Sequence, residues 1–321
     1  MQIISAQQIQ SVLAWDGVIE ALHRGHSGAR PVGDGYFIGD ADFGLFCRGV
    51  ILPGKGAGAK IASIHPANGA ADPPLPSEHA AFLLLDERTK RLVAMLDGPE
   101  ITRWKTAADS ALAARMLSRE NSEVLLVLGA GPIARALTDA YLHVRPSIRE
   151  VLLWNRSPSR LDAARSALEA RHIRVRIVED IDEAVVRADI IAAATGASTP
   201  MIRGKYVRPG THVDLVGGYR HDMREADCDV FRGARIFVDD HQNAALSGDI
   251  QVPMEAGVIA ESDIEGDLFD LCTMPAICRS AADRTVYKNA GGAHLDLIVS
   301  EYVVERLKSA RQRSPAAIGL D

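Results

Sequence analysis

The sequence predicts an α/β chain built on a doubly wound parallel sheet, and three observations carry that prediction. The first is the stretch from Glu123 to Arg135. A β-prone apolar run, Val124 to Leu128, stops at Gly129-Ala130-Gly131 and gives way to a helical pattern from Pro132 through Ile133, Ala134, Leu137 and Tyr141. The second is alternation: Val151 to Trp154, Val175 to Val178 and Ile190 to Ala194 read as buried strands, with a helical stretch from Pro158 to Ala170 between the first two. Such alternation marks parallel β-α-β units. The third is a pair of further apolar runs, Val213 to Val216 and Ile236 to Val238, which supply a fifth and a sixth strand.

The elements ahead of this region are smaller. Ser5 can cap a short helix carrying Ile9, Val12 and Leu13, and Asp16 is expected to cap a second carrying Val18, Ile19 and Leu22. Gly25 to Gly39, rich in glycine and polar residues, reads as a loop. Four apolar segments follow, at Leu45 to Leu52, Ala59 to Ile64, Ala80 to Leu85 and Leu92 to Leu96, and predict a small antiparallel or mixed sheet. Pro99 then opens an alanine-rich helix, Ile101 to Leu117, that leads into the strand at Val124 and is expected to join two domains. A last helix, Leu295 to Lys308, carries Leu295, Val299, Val303 and Leu307 on one face and is expected to return to the first domain. The tail after Ser314 has no readable pattern. The expected division is a first domain of residues 1–117, a second of 118–292, and a returning segment of 293–321.

Composition narrows the function classes. The chain of 321 residues is 47% apolar and 24% charged, which is ordinary for a globular protein large enough for two domains. A net charge of −6 argues against nucleic acid or an anionic membrane as partner. Met1 to Gln10 lacks a basic and apolar leader pattern, and no run is long enough to span a bilayer, so a cytoplasmic location is expected. Cys47, Cys228, Cys272 and Cys278 form no C-x-x-C spacing and read as reduced thiols. No metal is expected, because no pair or triplet of residues has metal-ligand spacing.

The chemistry begins at the glycine turn. Gly129 permits a sharp reversal, Gly131 lets the backbone approach a pyrophosphate, Pro132 and Ile133 open the helix, and Ala134 allows close packing. That is a dinucleotide-binding pattern. At the end of the second strand stand Asn155, Arg156 and Ser157, where an acid would bind the ribose hydroxyl of NAD and repel a 2′-phosphate. Asn155 removes that repulsion, and Arg156 with Ser157 can bind the phosphate, so NADP(H) is expected in preference to NAD(H). The other reading makes Arg156 a solvated turn residue and the cofactor NAD(H).

Two lysines sit in apolar surroundings. Lys60 alternates with Ala62 and Ile64, while Ala59, Ile61 and Ser63 form the other face, and neither face looks solvated. It either snorkels from an edge strand or meets a substrate carboxylate. Lys105 shares a helix face with Ile101, Ala108 and Leu112, and is either a solvated helix lysine or a second cation of the same anion site. Arg30 and Arg48 are further candidates.

Taken together, Ala59-Lys60-Ile61, Leu75-Pro76-Ser77, Leu96-Asp97-Gly98, Lys105-Thr106-Ala107-Ala108, Gly129-Ala130-Gly131, Asn155-Arg156, Val216-Gly217-Gly218 and Lys288-Asn289 resemble the ornithine cyclodeaminase and mu-crystallin family. The resemblance implies a homodimer in which a smaller α+β domain, completed by the C-terminal helix, binds substrate and forms the dimer interface. A Rossmann dinucleotide-binding domain is inserted into it. By the same resemblance Lys60, Lys105 and Arg30 contact the substrate carboxylate, with Lys105 at a position that is often arginine. Thr106 lies near the cofactor phosphates, Thr195 and Val216 lie at strand ends beside the cofactor, and Lys288 borders the nicotinamide pocket.

One departure is informative. Members that cyclise ornithine carry an aspartate where Tyr219 follows Gly217-Gly218. The runs Thr102-Arg103-Trp104-Lys105-Thr106 and Lys288-Asn289-Ala290-Gly291-Gly292 are instead similar to a branch that reduces cyclic ketimines. The expected activity is therefore NADPH-dependent reduction of Δ1-pyrroline-2-carboxylate and Δ1-piperideine-2-carboxylate to L-proline and L-pipecolate. Three alternatives stay open: an ornithine cyclodeaminase, an open-chain amino-acid dehydrogenase, and a binding protein that holds NADPH and a small ligand without essential turnover.

Overall fold

The structure, a computed structural model, describes residues 1–313 apart from Ala41, Pro74, Ser77, Tyr219, Ala276 and Cys278. Expectations placed on Ser77, Tyr219, Cys278 and the tail fall outside these residues. The chain runs through β1 (Gln2–Ile4), α1 (Ala6–Gln10), α2 (Trp15–His26), β2 (Val32–Gly39), β3 (Gly44–Leu52), β4 (Gly56–Ile64), β5 (Glu78–Leu85), β6 (Leu92–Asp97) and α3 (Gly98–Leu117). It continues through β7 (Val124–Leu128), α4 (Pro132–Val144), β8 (Glu150–Trp154), α5 (Asp162–Glu169), β9 (Arg174–Ile177), α6 (Ile181–Arg187), β10 (Ile190–Ala193) and β11 (His212–Leu215). The remaining elements are β12 (Arg235–Val238), α7 (His241–Ala244), α8 (Gly248–Glu255), β13 (Ile264–Gly266), α9 (Leu268–Thr273), β14 (Thr285–Lys288) and α10 (Ala293–Arg313). No helix among the described residues is long and apolar enough to cross a membrane.

Two compact units result, Met1–Lys105 with Ala293–Asp321, and Thr106–Gly292. The first boundary lies inside α3 and not at its C-terminal end. The later turns of that helix are tied into the second unit, where Asp109 accepts a hydrogen bond from the Tyr287 hydroxyl at 2.6 Å and Ser110 accepts one from the Asn289 amide at 3.0 Å. Helix continuity conceals such a boundary from the sequence.

In the first unit six strands form one sheet in the order β1-β6-β5-β4-β3-β2, antiparallel except where β1 joins β6. Helices α2 and α10 pack together, and α10 lies against β3, β4 and β5. Their apolar stripes bury Leu22, Ile19, Leu295 and Val299 with Leu52, Phe82 and Leu96 of the sheet. The opposite sheet face leaves Tyr36, Ile38, Ile51 and Ile61 exposed. Ser5 caps α1 in a reciprocal capping box with Gln8, as its position predicts. The cap of α2 is Ala14, with no side-chain bond; Asp16 sits in the first turn, where its charge favours the helix dipole without capping it.

The stretch read as a loop up to Gly39 contains β2, which pairs with β3 along its whole length from Val32 opposite Ile51 to Gly39 opposite Gly44. Its Val-Gly-Asp-Gly start carries little strand propensity, and the partner strand imposes the conformation.

The second unit is an eight-stranded parallel sheet in the order β13-β12-β14-β11-β10-β7-β8-β9. Chain order reverses between β7 and β10, the place where an open α/β sheet offers a crevice at its strand ends. The helical stretch after Pro158 is a 3-10 turn followed by α5. Strands β13 and β14 go beyond the six that the sequence predicts, and β14 fits between β11 and β12.

A buried acid gives this unit a pH signature. Asp214 on β11 is inaccessible and accepts a hydrogen bond from the Tyr141 hydroxyl at 2.9 Å, yet burial raises its carboxyl to about 7. The unfolded carboxyl titrates near about 3.9, so the folded state holds the proton more tightly. The stabilisation is complete below that value and is lost as pH rises through about 7. Thermal melts should show a midpoint that declines from about pH 4 to about pH 7, and Asp214→Asn should make that decline shallower. An unchanged slope in the variant would remove Asp214 from the account.

Candidate active site

In the second unit, β7 delivers the chain to Gly129, whose φ of +122° favours glycine and whose added Cβ would lie 2.5 Å from the Ala194 carbonyl oxygen. Gly131 then serves as N-cap of α4 in an extended conformation, with no side chain bonding the first-turn amides. A Cβ there would meet nothing within 4 Å. Pro132 opens the helix, half-buried Ile133 follows, and buried Ala134 packs 3.5 Å from the Cβ position of Gly129. These residues fit a dinucleotide pyrophosphate, since open space, a glycine and uncapped amides meet at one helix N-terminus. At the end of β8 the Asn155 amide donates to the Ser157 carbonyl at 2.9 Å, and Arg156 and Ser157 are exposed.

At the end of β10 a residue appears that sequence reading missed. Buried Glu225 accepts hydrogen bonds from the Thr195 amide and hydroxyl at 2.6 and 2.8 Å through Oε1, and from the Gly217 amide at 2.7 Å through Oε2. It therefore ties the end of β10 to that of β11, beside half-buried Val216. Burial first, then the neighbouring Asp249 charge, push its carboxyl up to about 7, against the pull of Lys288. Asp249 in turn accepts from the Glu225 amide at 2.8 Å and lies 3.4 Å from Nζ of Lys288.

Lys288 itself is 0% exposed, on the interior strand β14 that is buried on both faces. Thr106 is buried as well, and its carbonyl accepts from the Asn289 amide at 3.0 Å.

The carboxylate candidates belong to the first unit. On β4, Gly56, Gly58, Lys60 and Ala62 face inward, while the Ile61 side is open, so the expectation that neither face is solvated does not hold. Lys60 stands on the covered face. Its Nζ donates to Oγ1 of Thr102 at 2.6 Å and lies 3.7 Å from Oδ1 of Asp296. Nζ of Lys105 lies 4.0 Å from Oδ2 of the same carboxylate. Arg48 is directly opposite Lys60 on the neighbouring strand, half-buried, with its guanidinium 5.0 Å from the Phe46 ring centre. Arg30 is exposed, between α2 and β2.

Asp296, at 2% exposure in the first turn of α10, escapes a sequence reading because its helix is read for its apolar face. The same helix contributes to an imidazole pair: Nδ1 of His26 is hydrogen-bonded to the Leu22 carbonyl at 2.7 Å, and its Nε2 is 3.2 Å from Nε2 of His294. Burial, then His26, Lys105 and Arg48, hold the His294 imidazole well below its ordinary value. Elsewhere His241, Asp267 and Asp270 bring three ligand-type atoms within 4.8 Å, a grouping that sequence spacing does not reveal. Asp267 and Asp270 are also reciprocal capping partners at the start of α9.

Residues 52–311 match the model of the ornithine cyclodeaminase/mu-crystallin family. A Δ1-pyrroline-2-carboxylate reductase of Paracoccus denitrificans is 38% identical over 94% of this chain and 96% of its own length. The ketimine reductase mu-crystallin of Mus musculus is 33% identical over 76% of this chain and 74% of its own. The structure of Thermococcus litoralis Δ1-pyrroline-2-carboxylate reductase in complex with NADH and L-proline superposes with a TM-score of 0.90 at 27% identity, covering 97% of this chain and 98% of that one. On that family match and these relatives, the chain belongs to the ornithine cyclodeaminase/mu-crystallin family.

Proposed function

We propose that this chain reduces cyclic ketimine carboxylates, Δ1-pyrroline-2-carboxylate to L-proline and Δ1-piperideine-2-carboxylate to L-pipecolate, with NADPH preferred over NADH. It is a nicotinamide-dependent oxidoreductase acting on C=N bonds. The observation that carries the substrate class is the buried pair Lys60 and Lys105, gathered at one carboxylate. Lysines so placed match a small anionic substrate better than a structural role.

Reduced nicotinamide, when bound, supplies the hydride that an imine carbon accepts. Gly129, Gly131, Pro132, Ile133 and Ala134 hold its pyrophosphate, with Thr106, Thr195 and Val216 as further contacts. Lys60 and Lys105 grip the substrate carboxylate through charge-assisted hydrogen bonds, with Arg48 beside them, and so fix the orientation of the ring. A protonated cyclic imine is already a good hydride acceptor whose charge the adjacent carboxylate balances. Reduction therefore does not require the acid that Tyr219 replaces.

Exposed Arg156 beside Asn155 supports the choice of NADPH. Such a charged contact is worth about 1.5 to 3 kcal/mol, so Arg156→Ala should weaken NADPH binding by at least about tenfold and leave NADH nearly unchanged. Tighter binding of NADH than of NADPH by the unmodified protein would reverse the preference. The apolar sheet face carrying Tyr36, Ile38, Ile51 and Ile61 supports a homodimer.

The decisive experiment follows NADPH oxidation against both cyclic imine acids, pyruvate with ammonia or methylamine, and ornithine. Turnover of the imine acids is expected, without ammonia release from ornithine. Ammonia release at a comparable rate would replace this reading with a lyase. Faster turnover of pyruvate with an amine would favour an open-chain dehydrogenase, and saturable NADPH binding without any turnover a binding protein.

A further inference from the structure

We infer that Asp296 is a positioning residue of the carboxylate site, holding the Lys60 and Lys105 ammonium groups charged and together through its two oxygens. The inference rests on the reductase reading of that site. Asp296 reaches the group from α10, Lys60 from β4 and Lys105 from α3, so one side chain links three elements. Both separations, 3.7 and 4.0 Å, are ion-pair distances longer than a hydrogen bond. Among the described residues, Oδ1 of Asp296 accepts no hydrogen bond. The carboxylate thus compensates the charge of Lys60 without consuming its donors. One of these goes to Thr102, and the ammonium has three, which leaves donors for a substrate carboxylate.

The surrounding charges show why compensation is needed. Arg48 adds a third cation from β3, opposite Lys60. His294 from α10 and His26 from α2 contribute imidazoles, the His294 ring being held well below its ordinary value by burial first and then by these neighbouring charges. Like charges in a buried layer disfavour each other's charged forms, and an acid placed among them restores them.

The test compares kcat/KM for Δ1-pyrroline-2-carboxylate in variant and unmodified enzyme at each pH, so that ionisation of the substrate cancels. For Asp296→Asn the ratio should fall at least about tenfold near pH 8.5 and recover to within about threefold near pH 6, where protons are supplied to the uncompensated lysines. The loss should appear mainly in KM, with the NADPH dissociation constant within about twofold of normal. Asp296→Glu keeps the charge, and its ratio should stay flat with pH even if lower throughout. A merely structural role predicts a ratio independent of pH for Asp296→Asn, and that result would overturn the inference. Should Asp296→Asn fail to fold, Asp296→Ser, which also removes the charge, is read in the same way: a ratio that falls with rising pH supports the inference, and a ratio independent of pH overturns it. Turnover by the unmodified enzyme with an unaffected Asp296→Asn would sink the inference alone. Absence of turnover by the unmodified enzyme would sink the reductase reading with it.

Discussion

Lys60→Met should lower kcat/KM for Δ1-pyrroline-2-carboxylate by at least about tenfold while sparing NADPH affinity. Methionine keeps most of the volume on the covered face of β4, so packing against Phe82, which is opposite Lys60 on β5, is largely retained. What disappears is one ammonium. Thr102 loses its donor, Asp296 keeps Lys105 at 4.0 Å, and the substrate carboxylate loses a charge-assisted partner. Truncating one member of a desolvated charge pair costs about 2 to 5 kcal/mol, so even the lower end corresponds to roughly thirtyfold. Steady-state kinetics alongside dinucleotide titration measure both quantities. Near-normal kcat/KM in Lys60→Met would return Lys60 to a purely structural role.

The second large effect separates two neighbouring glycines by mechanism. Gly129→Ala places a Cβ 2.5 Å from a backbone oxygen at a φ of +122°, which the end of β7 cannot relieve without moving β10. Strain of this kind costs about 1 to 3 kcal/mol before the clash is counted, so melting temperature and dinucleotide binding should fall together. Gly131→Ala meets nothing within 4 Å and adopts an ordinary extended backbone. Its fold should survive, while NADH and NADPH both bind at least about tenfold more weakly, because the added methyl occupies the approach of the pyrophosphate. Unimpaired binding by Gly131→Ala would remove the pyrophosphate from the α4 N-terminus.

How much of this was legible depended on whether local signals agreed. From Val124 to Tyr141 the strand propensity, the glycine turn and the helical period all point the same way, and the structure has β7 and α4 there. Strand β2 was illegible because its Gly-Asp-Gly residues speak for a loop, and only the ladder to β3 overrules them. Lys60 and Lys105 were conspicuous as cations in apolar company. Asp296 was not, since a single acid in an amphipathic helix is ordinary until α10 is seen to pack on β4. The burial of Lys288 was not legible either, because side-chain direction on a doubly covered strand such as β14 cannot be told from alternation.

The open face of the six-stranded sheet bears on the thermodynamics of the whole chain. If Tyr36, Ile38, Ile51 and Ile61 are covered by a second copy, part of the free energy of folding is an association term governed by mass action. Dilution then acts as a denaturant. The midpoint of unfolding should climb with protein concentration, and the first unit should be the part of the chain that a dilute sample loses first.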